Sequence, residues 1–237
     1  MASRLSIILL SYSIKNSDKY QMLSECIHSI KKNTTDHELI IVDNGSTCEQ
    51  SVDLMRSSAD VYIRLKDNLG FGPGMNIGYR VAKGEFVCFL NDDIVLPQGW
   101  ADCLIESCGE GVSHPGLWPF DTMDDPVDGK IERLNAHQES RKEIGVTQSG
   151  GFGACFVARK STFDAVLEDG KVFDEQFRIA MFEDTDLWKR MGKAERPIVC
   201  DNRAYVYHVG NGTVGKIMEF HEAYKENEAK YKAKWGL

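Results

Sequence analysis

The chain has 237 residues, 42% of them apolar and 27% charged, and a net charge of −8. That is the make-up of a globular protein long enough to bury a core without staples, and its acidic balance argues against wholesale coating of nucleic acid, though not against a local basic groove. No stretch approaches the ~20 consecutive apolar residues of a membrane span.

The opening "MASRLSIILLSYS" carries a short apolar run without a small-residue cleavage site, so it reads as a first strand and not a signal peptide. The seven cysteines show neither CxxC nor zinc-like spacing. Cys88, Cys155 and Cys200 lie in apolar, strand-like runs and read as small buried hydrophobes in a reducing compartment. The expectation is a cytoplasmic protein, in which the sequons at Asn33, Asn44 and Asn211 carry no glycosylation message.

Leu5 to Leu10 is a continuous apolar run, the pattern of a strand covered on both faces. Asp18 and Gln21 fit a capping-box spacing, and Leu23, Cys26, Ile27 and Ile30 then give one apolar helical face. Leu39–Val42 is a second strand ending at Asp43, and Val61–Leu65 a third. Pro73 suits the first turn of a helix that Gly84 follows as a stop. Phe86–Leu90 is the fourth strand, and Pro97 opens the next helix. Alternating strands and helices imply a parallel, doubly wound α/β sheet, whose ligands bind beyond the carboxyl ends of its strands. Ser11-Tyr12, Asp43-Asn44 and Asn91-Asp92-Asp93 all fall at such ends.

Residues 109–148, rich in Gly, Pro and acids, predict loops with short strands. A Gly-rich turn, a strand and a helix follow in "GVTQSGGFGACFVARKSTFDAV". "AMFEDTDLWKRMGK" predicts a short helix with acids first and bases last, and Ile198–Cys200 and Ala204–Tyr207 predict two strands. Lys216–Trp235 reads as a charged surface helix. The organisation expected is one domain over 1–215, with a nucleotide half over 1–100 and an acceptor half over 101–215, then a helical tail over 216–237.

Several groups could carry chemistry, and each has a plainer explanation. Asn91-Asp92-Asp93 is either a solvated turn or a site where Asp93 holds Mg²⁺ or Mn²⁺, which prefer oxygen ligands. Asp92 could then face a ribose hydroxyl while Asn91 shapes the turn. His208 ends a strand and is followed by Gly210 and Gly212, so it is either a hydrogen-bonded structural residue or a metal ligand with room for close approach. Glu183 and Asp184 open a helix, where acids also serve the dipole alone. Asp186 and Arg190 have the spacing of a surface pair, Leu187 and Met191 that of core. Trp188 is either core or a platform for a sugar ring. Asn68, Gly70 and the glycines at 72, 74 and 78 belong to a loop without the Walker GK[ST]. Such a loop packs on the sheet or lets backbone amides approach a phosphate.

In order, VDNGST, DNLGFGPGMNIG, FLNDDI, SGGFGACFVARKSTFDAV, FDEQFRIAMFEDTDLWKRM and AYVYHVGNGT resemble a family 2 glycosyltransferase of the GT-A fold, in its rhamnosyltransferase-like branch. The resemblance runs from about Leu5 to Thr213. It implies a Rossmann-like, mostly parallel central sheet with helices on both faces. It also implies an inverting, metal-dependent enzyme that moves a sugar from a nucleoside diphosphate donor, a UDP-sugar, to a hydroxyl of a glycan. Asp93, at the last DxD position, and His208 would hold Mn²⁺ or Mg²⁺, and Asn91 replaces the first acid. Ser11, Tyr12, Asp43, Asn44, Asn68, Gly70, Asn76, Asn91 and Asp92 would form the nucleotide side. Asp184 would be the catalytic base, with Gly150, Gly151, Glu183 and Trp188 on the acceptor side.

Three rivals stand beside that reading. A nucleotidyltransferase needs a Gly-rich basic loop after its first strand, where this chain reads "SYSIKNSDKY". A non-catalytic nucleotide-sugar binder would fit the loss of an acid at Asn91. A hydroxylated DNA base could replace the glycan as acceptor. The lysines at 225, 230, 232 and 234 could meet phosphate, but interleaved glutamates make them a solvated helix face.

Overall fold

The computed structural model describes residues 4–15, 18–119, 123–210 and 220–237. Asn211, Gly212 and the Lys216–Glu219 start of the expected tail lie outside the described residues.

Strands β1 (Leu5–Ser11), β2 (His37–Asp43), β3 (Val61–Arg64) and β4 (Phe86–Asn91) run parallel in the order β3-β2-β1-β4. The crossovers between them are α1 (Lys19–Asn33), α2 (Glu49–Ser58) and α3 (Phe71–Val81). Side chains alternate across a strand, so β1 feeds two cores. Leu5, Ile7 and Leu9 pack with Leu23, Ile27 and Ile30 of α1 and with Met55 of α2, whereas Ile8 packs with Met75 and Tyr79 of α3. Asp18 makes no side-chain capping bond, and Gln21 instead donates to Glu25 one turn on, so the expected capping box is absent.

Beyond β4 the sheet becomes mixed. A two-residue strand β5 (Ile94–Val95) and helix α4 (Trp100–Cys108) follow the acidic turn. Then come β6 (Val112–Leu117), α5 (Val127–Arg141), one 3₁₀ turn, β7 (Val146–Gln148), β8 (Cys155–Arg159), α6 (Lys160–Asp164), α7 (Glu183–Lys193), β9 (Ile198–His208) and α8 (Phe220–Trp235). β8 joins antiparallel to β4, β6 to β8, and β9 lies parallel to β6. The two strands expected over 198–207 are one, with a register shift opposite Pro115 and Gly116.

The segment expected as loops contains the 15-residue α5. Its apolar residues are few, Val127, Ile131 and Leu134, but they fall at i, i+4 and i+7 and cover Tyr205 and Tyr207 of β9. α8 is no free surface helix either: Ala223 and Asn227 are buried along it.

Candidate functional site

Strand register brings the polar strand ends together. Ser11 lies level with Asp43, and Leu10 with Asn91, at the carboxyl edge of the parallel strands. A cavity of about 370 Å³ opens there. One wall carries Tyr12, Asn44, Asn68 and Gly70; the floor carries Lys19, Asn91, Asp92, Asp93 and His208. The opposite wall is Phe152 to Ala154 and residues 179–184 without Phe182.

The first wall is tied together by asparagine. Asn44 accepts from the Leu69 backbone at 2.9 Å and donates to Asn68 at 2.8 Å and to the Gly70 carbonyl at 3.1 Å. Gly70 has φ +92, and a β-carbon there would press on the Ile179 backbone, so the position needs glycine. Three residues expected to meet the nucleotide stand off the cavity wall. The Asp43 carboxylate is fully buried, accepting from the Ser46 backbone and the Tyr62 hydroxyl, both at 2.8 Å, with Arg64 at 3.3 Å. Asn76 is turned to the Phe173 backbone, which it brackets with one donated and one accepted bond. Ser11 sits behind Asp92 and donates to its Oδ2 at 2.6 Å.

The other oxygen of Asp92 meets Lys19, whose Nζ lies 2.6 Å away, both side chains buried. Burial pushes Asp92 up against the pull of Lys19, and Asp93 adds to the rise. Burial lowers Lys19, but Asp92 and Asp93 outweigh it and keep it an ammonium. Sequence reasoning missed Lys19. The available signal was its place at the first residue of α1, the end of a helix that disfavours a cation.

Asp93 and His208, 115 positions apart in the chain, are brought together by strand pairing. Ile94 of β5 lies opposite His208 of β9, and the Val209 backbone donates to the Asp93 carbonyl at 3.1 Å. His208 Nε2 stands 3.2 Å from Asp93 Oδ1, yet that buried oxygen takes part in no well-formed hydrogen bond. Adjacent ligands of an octahedral ion bound at ~2.1 Å lie about 3 Å apart. The orphaned oxygen and the imidazole nitrogen therefore fit a shared divalent cation. Burial pushes Asp93 up, and His208 and Lys19 more than offset this, leaving it below the usual carboxylate range.

A second acidic cluster has a different occupant. Glu168, Asp174 and Asp186 are close enough to share an ion, but the Lys234 ammonium stands among them, 2.7 Å from Asp174 and 2.8 Å from Asp186 and also bonded to Glu168. Asp186 was expected in a surface pair. It is fully buried, held by Arg190 Nε at 2.9 Å and by Trp235 Nε1 at 2.9 Å.

On the far wall the backbone is strained. Ile179, Met181 and Phe182 have φ of +63, +81 and +74, a region that costs non-glycine residues about 1–3 kcal/mol each. Glu183 follows, 5% exposed, with Oε2 unpartnered. Burial, reinforced by Asp184, pushes its carboxyl up to about 8. Half-buried Asp184 accepts from the Thr185 backbone at 2.6 Å. Gly153 lies against its carboxylate with no room for a β-carbon.

The other acceptor-side residues stand off the wall. Trp188 packs edge-on against Phe156 with centroids 4.8 Å apart, and Gly151 lies on its ring. The cavity-facing glycine is Gly153 and not Gly150 or Gly151. Phe152, Gly153 and Ile179–Met181 were also missed; nothing in their local pattern marks them.

Comparison with solved structures gives the fold. GalNAc-T7 crystallised with UDP, GalNAc and Mn²⁺ superposes with a TM-score of 0.71 at 14% identity, over 98% of this chain and 48% of that one. TarS 1-349 of S. aureus in complex with UDP-GlcNAc gives 0.60 at 18% identity, over 93% and 64%. The architecture is that of the GT-A glycosyltransferases.

The family profile of glycosyl transferase family 2 matches residues 7–167, more than half of the chain. The chain belongs to that family. It is 27% identical over 175 residues to the GalNAc(5)-diNAcBac-PP-undecaprenol beta-1,3-glucosyltransferase of Campylobacter jejuni, covering 71% of this chain and 55% of the relative. It is 27% identical over 117 residues to glycosyltransferase GlyG of Streptococcus pneumoniae, covering 46% and 36%. The chain thus spans 30% to 55% of the length of these curated relatives and a third one. No helix among the described residues is long and apolar enough to cross a membrane.

Proposed function

We propose that this enzyme is an inverting, metal-dependent member of the rhamnosyltransferase-like branch that transfers a sugar from UDP to a glycan hydroxyl. The observation that carries the reading is the convergence of Asp93, His208 and Asp184 on one cavity beside Lys19. Residues 1–100 then serve the donor and 101–215 the acceptor. Cytoplasmic residence is supported by the seven cysteines, all of them free thiols.

Asp93 and His208 would hold Mn²⁺ or Mg²⁺, which supplies positive charge to a diphosphate as it departs. Lys19 adds a permanent ammonium on the same floor. Tyr12, Asn44 and Asn68 line the side given to the nucleotide. The acceptor hydroxyl must lose its proton as it attacks, and Asp184 takes it. A carboxylate is too weak to ionise an alcohol beforehand, so proton transfer is late and coupled to attack. Glu183, protonated at neutral pH, has no room for that proton, which leaves the role to its neighbour.

The test is a panel of UDP-GlcNAc, UDP-GalNAc and UDP-glucose with and without Mn²⁺, scored by UDP release. Release is expected only with the ion, and Asp93→Asn is expected to lower it about 10²–10³-fold. Equal release by the wild type after chelation would overturn the metal assignment.

A further inference from the structure

The C-terminal helix meets the strained wall of the cavity through one side chain. Asn227 is fully buried in the middle of α8. Its Oδ1 accepts from the Arg178 backbone at 2.9 Å. Its Nδ2 donates to the carbonyls of Arg178 at 2.8 Å and of Ala180 and Met181, both at 3.1 Å. Asparagine is a poor helix former and costly to bury unless satisfied. Here it supplies the partners that a helix or strand would give Arg178, Ala180 and Met181, since this segment belongs to neither.

Other contacts from α8 extend the grip on both sides of Asp184. Lys230 donates to the Gln176 carbonyl at 2.8 Å, and Phe182 packs against Tyr224 and Tyr231 with centroids 5.2 and 5.6 Å away. Lys234 and Trp235 hold Asp186, two residues past Asp184. From the donor side the Phe71 backbone donates to the Ile179 carbonyl at 2.7 Å. Ile179, Ala180 and Met181 face the cavity. A segment carrying left-handed Ile, Met and Phe persists only where its surroundings over-determine it.

We infer that α8 is a latch on the acceptor wall and that Asn227 is its positioning residue, holding 178–182 so that Asp184 stands at the cavity. The inference rests on the reading of Asp184 as the base, and it acts on turnover through that residue.

The test uses the full chain with Asn227→Ala, Asn227→Asp and, as a control on the exposed side of α8, Lys232→Gln. Asn227→Asp keeps the acceptor for Arg178 but loses the amide that donates to three carbonyls, so it should fail as alanine does. Hydrogen exchange of 176–184 is expected to rise roughly five- to a hundredfold in both variants, while β1 to β4 stay protected. Turnover of the UDP-sugar with Mn²⁺ is expected to fall in kcat by about 10²-fold, the effect of a small misplacement. KM and the Kd for UDP should change less than about threefold, since Asn227 bonds none of Tyr12, Asn44 and Asn68. Lys232→Gln should match the wild type.

Unchanged exchange over 176–184 with unchanged kcat would overturn the latch. So would exchange that rises equally across the sheet, the mark of a merely structural residue, or a loss confined to KM and UDP affinity. A wild type that releases no UDP while the variants still loosen 176–184 would sink the transferase mechanism and leave the latch standing.

Discussion

On the wall proposed for the donor, positive φ falls on glycine: Gly70 at +92 and, next to Asn44, Gly45 at +85. On the acceptor wall it falls on Ile179, Met181 and Phe182. On the donor wall Asn44 is also closed on Asn68 and Gly70, and on the floor beside it Asp92 is closed on Ser11 and Lys19. The acceptor wall leaves Glu183 Oε2 buried and unpartnered. A parallel sheet delivers its strand ends in register, so the donor wall needs only turns that glycine supplies at little cost. The 179–182 stretch of the acceptor wall belongs to neither strand nor helix. Its shape comes from a helix at the other end of the chain.

The largest effect expected from this contrast is at Asp184. Asp184→Asn should lower UDP-sugar turnover about 10²–10⁴-fold, the usual worth of a positioned base, and leave the Kd for UDP with Mn²⁺ near that of the wild type. A matching loss of UDP affinity would show that the two walls are not separate. The next largest is at Lys19 and reads on stability. Lys19→Met leaves the Asp92 carboxylate buried without its ammonium, and breaking a buried pair from one side costs about 3–5 kcal/mol. Urea unfolding should show that loss, and Lys19→Met with Asp92→Asn should recover most of it. A single variant as stable as the wild type would mean that the cavity floor does not depend on its closed network.

Legibility in the sequence follows the same division. The apolar runs of β1, β2 and β4 and the polar residues that end them give both the parallel half and the place of its ligands, because register is a local consequence of side-chain alternation. Asp93 and His208 are each candidates from their own surroundings, and the resemblance assigns them to one ion; periodicity alone does not pair β5 with β9. What the sequence hid depends on contacts between distant segments. Asp43 ends β2 and Asn76 lies midway along α3, both polar and near the site, but Tyr62 and Arg64 claim the first and Phe173 the second. The interleaved lysines and glutamates of α8 mimic a solvated face, and nothing local marks Lys234 as the occupant of three acids. Asn227 was a readable exception, a poor helix former amid good ones.

The smallest step in any single comparison, at most about 1.4 kcal/mol per pH unit, is expected at Glu183, and it tests whether the acceptor wall is held at a cost. Its carboxyl lies at about 8 in the fold and near the ordinary carboxylate value in the unfolded chain. Below pH ~4.5 both states are protonated, and the group contributes no difference. Between about 4.5 and 8 the folded state holds a proton that the unfolded state has released, so stability falls as pH rises. The slope is at most about 1.4 kcal/mol per pH unit. Above 8 both states are charged and the penalty levels off. Glu183→Gln removes the titration, so its Tm relative to the wild type should climb from pH 5 to pH 8 by about 2–4 °C for each kcal/mol and flatten beyond. A Tm difference that stays constant from pH 5 to pH 9 would mean that the carboxyl is solvated in solution. The wall would then be more open than its strained backbone implies.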